Sequence, residues 1–285
     1  MRLPPPRPAP PPEPLNPTRD AAPSGLAARA LDGAAWLASL VPLAAASGMA
    51  WMVAWMWWWG LPIRKRVAVQ NLVASLPEAH PRRVLTRMMH DLVLGYIELT
   101  RFEDLEVEVS GAEGVTGAIV VGGHGGAWDV ALLGWARSFP VTIFLRTPRN
   151  RWVQAWLARH REDNGVHRLE TGAGMSAAYA ALAAGRNVFF VQDQRHNKGP
   201  GVPFFGRAAR TSLGAAVAAR KTDAPVYGAW QWREGTGRHR LHLERLDLGD
   251  LAGDDLAVTA RINDFYARQI ALRPHGWLWL HARWK

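Results

Sequence analysis

A histidine and a carboxylate stand five positions apart in the segment His124-Gly-Gly-Ala-Trp-Asp129. A carboxylate bound to one ring nitrogen fixes the histidine tautomer and stabilises the imidazolium, so such a pair can act as a general base at neutral pH. On a continuous helix, residues i and i+5 lie about 140° apart and do not meet, given about 3.6 residues per turn. We therefore expect His124 on a turn and Asp129 in the first turn of the next helix, folded back toward the imidazole.

The residues around His124 form a glycine-rich turn after an apolar run. Ala118–Val121 has the composition of a buried strand, and apolar residues resume at Val130. Four glycines surround the histidine, namely Gly122, Gly123, Gly125 and Gly126. Glycine accepts unusual backbone angles and lets a substrate approach the backbone, so we expect Gly125 and Gly126 to bind substrate. An isolated His-x4-Asp pattern is more often a surface turn, but a turn between strand and helix is where open α/β sheets carry their sites.

Three further charged residues follow apolar runs. Arg146 ends one run, where an arginine either holds a phosphate through bidentate contacts or lies in solvent. Asp193 ends another, as a site residue or as a cap for the next loop. Arg207 precedes Thr211 and Ser212, either of which can cap a helix, and a helix N-terminus beside arginines binds anions. The alternative for Arg207 is a structural loop.

The composition restricts the partners of this chain. The 285 residues carry a formal net charge of +10, which favours phosphate-bearing partners such as nucleic acid, anionic lipid or an acidic carrier. Most of the 15 Trp lie in the apolar N-terminal segment or near the C-terminus, and Trp favours the membrane–water interface. Since no nucleic-acid-binding signature is present, we expect a membrane and no nucleic acid. The chain has no Cys, which excludes disulfides, a thiol nucleophile and thiolate metal sites.

The chain divides into three parts. Residues 1–25 are rich in proline and are expected to form a disordered arm. Residues 26–63 are expected to form a membrane-associated apolar segment, because no residue from Gly33 to Ile63 is charged. About 20 apolar residues can span a bilayer, but Pro42 and Gly48 interrupt the run, so a buried or interfacial helix hairpin is the alternative.

Residues 64–285 form the third part, an α/β domain. Amphipathic helices are expected over 64–103, followed by alternating strands and helices, which indicate a mixed, mostly parallel sheet flanked by helices. The predicted strands are Ala118–Val121, Val141–Leu145, Val188–Val191 and Val226–Trp230, and the predicted helices cover 127–137, 150–163, 174–184, 211–221 and 255–272. A hairpin over Gln231–Arg245 adds antiparallel strands, on which we expect His239 and His242 to face solvent.

A competing enzymatic interpretation is an α/β-hydrolase, in which His124-Gly-Gly would be the oxyanion loop. That fold needs a Gly-x-Ser-x-Gly nucleophile elbow. The nearest matches, around Ser176 and Ser212, each lack one glycine and follow no convincing strand. The hydrolase interpretation is therefore disfavoured.

Taken together, the motifs resemble those of the lipid A biosynthesis late acyltransferases, the lauroyl/myristoyl acyltransferase family within the lysophospholipid acyltransferase superfamily. The resemblance covers residues 33–285. The motifs occur in the family's order: Arg66–Leu72 with Leu76–Glu78, His124-x4-Asp129, Leu145–Asn150, Thr171–Met175, Asp193-Gln194, Val202–Arg207 with Thr211-Ser212, and Trp277–Lys285. Many members carry Glu at the position of Asp129, and related branches acylate other glycolipids or aminolipids.

The resemblance implies a glycerolipid-acyltransferase-like fold and acyl transfer to a lipid hydroxyl. The donor would be a thioester on acyl carrier protein or coenzyme A, a co-substrate rather than a cofactor, and no metal is implied. His124 would act as general base, oriented by Asp129. The acceptor would be a lipid A precursor or, as the alternative, another glycolipid, a phospholipid or an aminolipid. A membrane-tethered binding protein that has lost catalysis is a weaker alternative.

The resemblance also implies roles for the other candidate residues. Arg146 and Arg207 would bind phosphate on the donor's pantetheine arm or on the acceptor. Asp193 would order the site or contact the acceptor, and N–H groups around Gly125–Ala127 would stabilise the oxyanion. The expected location is the bacterial inner membrane, with the site facing the cytoplasm because Arg64-Lys-Arg66 follows the apolar segment.

Overall fold

The computed structural model describes residues 26–61, 63–137, 141–145, 156–157, 161, 163–170 and 174–285. The predicted arm over 1–25, Arg146 and most of the helix predicted over 150–163 lie outside the described residues. The helices of the described part are α1 (Leu26–Leu40), α2 (Leu43–Trp59), α3 (Lys65–Ser75), α4 (Pro81–Leu99), α5 (Trp128–Ala136), α6 (Gly174–Ala183), α7 (Gly214–Thr222) and α8 (Asp255–Leu272). The strands are β1 (Glu106–Ser110), β2 (Ile119–Gly122), β3 (Val141–Leu145), β4 (Val166–Glu170), β5 (Asn187–Val191), β6 (Gly201–Phe204), β7 (Arg207–Arg210), β8 (Val226–Gly235) and β9 (Arg238–Arg245).

The described strands form a seven-stranded mixed sheet and a separate two-stranded sheet. The order in the large sheet is β1-β9-β8-β2-β5-β3-β4. β2 is parallel to both of its neighbours, β5 and β8, and only the β8–β9 pair is antiparallel. The predicted mixed, mostly parallel sheet flanked by helices is therefore confirmed.

Consecutive residues of β2 face opposite sides of the sheet, as the two-residue period of a strand requires. Ile119 and Val121 enter the core formed with α6, α7 and α8, whereas Val120 enters the core formed with α5. Burial on both faces explains why β2 and β5 are continuous apolar runs rather than alternating ones. The carboxyl ends of these two central strands are therefore enclosed by helices on both sides.

The N-terminal helices place one face on the domain and leave the other exposed. On α2, Ala46, Ala50 and Ala54 are buried, and the first two pack with Leu94 of α4. Large apolar side chains of both helices are exposed: Trp36, Leu37, Leu40, Met49, Met52, Trp55, Met56 and Trp59. Within the described residues no single helix is long and apolar enough to cross a membrane. The helix pair Arg29–Leu40 and Leu43–Trp59 reaches that length and apolarity only when the two are taken together, and it is bent by 115°.

Several strands differ from those expected from the sequence. The hairpin exists, but its first arm is the whole of β8, continuous from Val226 to Gly235. β1 was not predicted, although its sequence, Glu-Val-Glu-Val-Ser, alternates as a half-buried strand does. It pairs in parallel with β9 at the edge of the sheet. β4 and the β6–β7 pair were also not predicted.

The expectation that His239 faces solvent is wrong. His239 is buried, and its Nε2 lies 3.0 Å from Oε2 of Glu98 on α4. Arg233 also pairs with Glu98 and, through Nε at 3.2 Å, with Asp91. The inward-facing residues of β8 and β9 thus form a buried ionic cluster with α4, which the local strand pattern could not reveal.

Candidate active site

The pairing of β2 with β5 brings His124 beside Asp193. Gly122 and Val191 are register partners at the ends of these parallel strands. His124 and Asp193 each stand two residues beyond that pair, at the carboxyl ends of adjacent strands. This is the edge at which open α/β sheets bind ligands.

Asp193 holds His124 with both carboxylate oxygens. His124 Nδ1 lies 2.8 Å from Asp193 Oδ1, and the backbone N–H of His124 donates to Oδ2 at 2.9 Å. An ionised carboxylate only accepts hydrogen bonds, so Nδ1 carries the proton and Nε2 has the lone pair in the neutral ring. The side chain of Asp193 is 1% exposed and that of His124 26% exposed. The pair is therefore a buried carboxylate that orients an imidazole open to the surface.

Electrostatics favour a proton on His124. Burial alone would lower the pKa of His124, but the charge and hydrogen bond of Asp193 outweigh it, so the pKa is raised above the usual 6.5. Burial likewise opposes the charged form of Asp193, yet His124 and the indole N–H of Trp277 hold the pKa of this carboxyl below 3.8. A carboxylate that stays ionised stabilises the imidazolium formed when the base accepts a proton.

The C-terminal segment fixes the pair from the other side. Trp277 Nε1 donates to Asp193 Oδ2 at 2.8 Å, and the N–H of Leu278 donates to the carbonyl of His124 at 3.1 Å. Tyr266 on α8 donates to the carbonyl of Gly122 at 3.0 Å. These three contacts define the orientation of the imidazole, as a catalytic group requires.

The structure gives the hydrogen bond on His124 Nδ1 to Asp193 rather than to Asp129. Asp129 lies in the first turn of α5, as expected, but its Oδ1 accepts from Arg161 Nε at 2.8 Å. Arg161 lies over Trp128, whose ring meets His124 edge-on at 5.5 Å between centroids. Asp129 still acts on the imidazole through its charge, which contributes to raising the pKa of His124.

The glycines of the turn allow close packing around His124. A Cβ on Gly125 would lie 2.7 Å from the carbonyl oxygen of Gly276, and Gly126 has a φ of +45°, a left-handed conformation that favours glycine. The N–H of Gly125 donates to the Gly123 carbonyl at 2.8 Å, so it is not available to a substrate. Among the expected oxyanion donors, this leaves the N–H groups of Gly126 and Ala127.

Helix α5 begins directly after these residues. Its N-cap is Ala127, which provides no capping side chain. The first N–H groups of a helix have no acceptor within it, and the helix dipole places positive potential there. The start of α5 therefore offers donors to a negatively charged oxygen near His124.

Of the two arginines expected to bind phosphate, only Arg207 lies within the described residues. Arg146 lies outside the described residues. Arg207 lies on β7, donates to Ser75 Oγ at 2.9 Å and stacks on Trp284 at 3.8 Å. It lines a cavity of about 600 Å³ between α3 and the C-terminal segment, whose lining within the described chain includes neither His124 nor Asp193. The structure therefore does not bring Arg207 to the histidine.

Sequence reasoning missed Trp277 and Arg161 as site residues. Trp277 was noted only as part of the chain's ending, and no local pattern links it to Asp193, which is 84 positions away. The signal for Asp193 was present, because it follows an apolar strand by the same two residues as His124. Within the described residues, no group of three or more His, Asp or Glu side chains could hold a metal ion.

The chain also matches a known protein family. Residues 34–285 match the model of the bacterial lipid A biosynthesis acyltransferase family. The chain belongs to this family. The acyltransferase family model covers all the described elements from α2 onward, including His124, Asp193 and the C-terminal segment that holds them.

The individual relatives are named for phosphatidylinositol mannoside rather than for lipid A. The phosphatidylinositol mannoside acyltransferase of Mycolicibacterium smegmatis is 27% identical over 174 residues, which are 59% of this chain and 57% of the relative. The protein of the same name from Mycobacterium tuberculosis is 26% identical over 219 residues, 74% of this chain and 65% of the relative. The matched region thus spans about three-fifths of these curated relatives.

Proposed function

We propose that this protein transfers a fatty acyl group from an acyl-thioester to a hydroxyl of a membrane lipid. The observation that carries the proposal is the His124–Asp193 pair, with the imidazole open to the surface beside the N-terminus of α5. A general base next to an uncapped helix N-terminus is what acyl transfer to a hydroxyl needs.

The reaction would proceed without an acyl-enzyme. His124 Nε2 takes the proton of the acceptor hydroxyl while the hydroxyl oxygen attacks the thioester carbonyl. The negative charge that develops on the carbonyl oxygen is met by the N–H groups of Gly126 and Ala127. Collapse of the tetrahedral intermediate forms the ester and breaks the carbon–sulfur bond, and the imidazolium returns its proton to the thiolate. Asp193 stabilises the imidazolium throughout, and Asp129 assists by charge alone.

The donor would be acyl carrier protein or coenzyme A. The formal charge of +10 suits either, because the carrier protein is acidic and both donors carry phosphate on a pantetheine arm. Arg146 remains the candidate for that phosphate. Arg207 is a second cation, at its own cavity away from His124.

A glycolipid is the acceptor class that the family and its relatives favour together. The family description names lipid A biosynthesis, and the relatives from two mycobacterial species are named for phosphatidylinositol mannoside. Both acceptors are lipids with a sugar head group. The lipid A precursor and a mannosylated phosphatidylinositol are therefore the two acceptors to compare first.

The exposed face of α1 and α2 would hold the site at the cytoplasmic face of a bacterial inner membrane. α2 is bound to the domain along its alanine face, and Ser47 Oγ lies 3.1 Å from Nε2 of His90 on α4. Its outer side presents Met52, Trp55 and Trp59. A helix attached to the domain in this way fits an interfacial anchor better than a span.

Acyl transfer in detergent tests the proposal. The wild-type chain and His124→Ala are given radiolabelled acyl carrier protein or acyl-coenzyme A, each with a lipid A precursor or a phosphatidylinositol mannoside. Transfer by the wild type alone supports the reaction and its base, and the productive pair identifies donor and acceptor. Equal transfer by both proteins would contradict the role of His124, and no transfer to either acceptor would contradict a glycolipid substrate.

A further inference from the structure

Gln231 is a buried amide beside the turn that carries His124. It lies on β8 and is 4% exposed. Neither its Nε2 nor its Oε1 has a hydrogen-bond partner within the described chain. A buried polar group without a partner is costly, so each such group in a folded protein calls for a physical explanation.

The sheet places this amide directly at the turn. Val121 of β2 and Gly228 of β8 are register partners. Gln231 and His124 each lie three residues beyond that pair, so they are neighbours at the carboxyl end of the sheet. β8 runs on to Gly235, which keeps Gln231 within a regular strand rather than on a loop.

Gly126 is the point of contact. A Cβ added to Gly126 would lie 2.8 Å from Nε2 of Gln231, so the amide occupies the space that any other residue would fill. Gly126 also contributes one of the N–H groups proposed to face the oxyanion. The position of the Gln231 amide therefore bears on the direction of that N–H.

We infer that Gln231 is a positioning residue for acyl transfer, which supports the Gly125–Ala127 turn and directs its N–H groups toward the acyl carbonyl. This inference rests on the proposed function. The amide packs against Gly126, where its Nε2 can donate to a peptide carbonyl of the turn and hold the turn in place. Gln231 does not touch the substrate and acts only through the turn.

Steady-state kinetics of Gln231→Met test this role. Methionine keeps the length of the side chain and removes its hydrogen bonding. We expect kcat to fall by about 10- to 100-fold with the KM of the acyl donor unchanged, because small displacements of catalytic groups cost up to about 10²-fold. The pH at which the rate rises should not move, since the His124–Asp193 pair is intact. Gln231→Asn, which keeps the amide, should retain more activity than Gln231→Met.

Gln192→Met is the matched control. Gln192 directly follows β5, which lies on the other side of β2 from β8. It is also buried, with both amide atoms unpartnered within the described residues, but a Cβ added to any of the turn glycines would not meet it. Because Gln192 directly precedes Asp193 but does not meet the turn, kcat of Gln192→Met should fall clearly less than that of Gln231→Met. An equal loss in both variants would overturn the inference, as would a raised KM with unchanged kcat in Gln231→Met.

A second test remains available if Gln231→Met fails to fold. Gly126→Ala should lower kcat by about tenfold or more through contact with Gln231, and the loss in Gly126→Ala/Gln231→Ser should be smaller than the product of the two single losses. Gly114→Ala controls for backbone strain, because Gly114 has a φ of +71° and open space around its Cα. Strictly additive effects at positions 126 and 231 would overturn the inference. If the wild type transfers no acyl group, the proposed function is wrong. If the wild type transfers acyl groups and Gln231→Met has a normal kcat, only the role of Gln231 is wrong.

Discussion

Two histidine–carboxylate pairs in this molecule differ in what surrounds them. His239 and Glu98 have side chains that are both 0% exposed, and Glu98 also pairs with Arg233 and accepts the N–H of Gly237 at 2.8 Å. His124 and Asp193 make a pair of similar length, but the imidazole is 26% exposed. The first pair lies inside the sheet–helix interface, and the second lies at the carboxyl end of parallel strands.

Pairing with an acid does not by itself make a histidine a catalytic base. Both histidines are held by an acid at hydrogen-bond distance, yet only His124 can meet a substrate. The Glu98 cluster instead joins α4 to β8 and β9, and removing one member would leave buried charge without compensation. We therefore expect one pair to matter for stability and the other for turnover.

The largest expected effect is on stability, in Glu98→Ala. The free energy of unfolding should fall by about 3–5 kcal/mol, the usual cost of breaking a buried ion pair. Burial opposes the charged form of Glu98, but His239 and Arg233 outweigh it and hold its pKa at about 2, below the usual 4.5. Its stabilisation is therefore complete above pH 4.5 and is lost as the pH falls toward 2. Chemical denaturation across that range measures both effects, and an unchanged midpoint would show that the cluster contributes nothing.

The next largest effect is on turnover, in His124→Ala. The rate of acyl transfer should fall by at least about 10²-fold, the low end for loss of a general base. The free energy of unfolding should fall less than in Glu98→Ala, because His124 is part-exposed and Asp193 keeps its hydrogen bonds from Trp277 Nε1 and from the backbone N–H of residue 124. The matched variant His239→Ala should show the reverse, with lower stability and near-normal turnover of the folded fraction. If His124→Ala retained its activity, His124 would not be the general base.

Much of the fold follows from the sequence because the central strands carry their own signal. β2, β3 and β5 are apolar runs, and all three lie where the pattern predicts them. β1 has a different signal, the alternation of Glu and Val in a short segment, and which strand it would pair with is not visible in the sequence. Contacts between segments that are distant in the sequence determine whether and where such an edge strand pairs.

The candidate site was predictable as a location and not as a set of contacts. The turn around His124 and the exit of Asp193 from an apolar strand are both visible in the sequence. The sequence order does not tell that β5 rather than β3 lies next to β2, and only that adjacency makes Asp193 the partner of His124. Asp129 is nearer along the chain, but the start of α5 turns its carboxylate toward Arg161.

Substitution of the two acids separates their roles. Asp193→Asn should lower the rate by about 10²-fold or more, since loss of the orienting carboxylate costs up to about 10⁴-fold in other histidine-based sites. Asp129→Asn should cost less than about tenfold, because its contact is with Arg161 and it acts on His124 only through charge. Initial rates at saturating donor compare them directly. A larger loss for Asp129→Asn would mean that the pairing changes when substrate binds.

The pH dependence of turnover should show the smallest effect, and it reports on His124 directly. The neutral imidazole is the base, so kcat/KM should rise with pH through the raised pKa of His124, above 6.5. The same raised pKa means that the pair stabilises the fold fully below pH 6.5 and loses this contribution as the pH rises through the folded value. Asp193→Asn removes the charge that raises the pKa, so the rise in residual activity should move to lower pH. A profile that stays in place would mean that the titrating group is not His124.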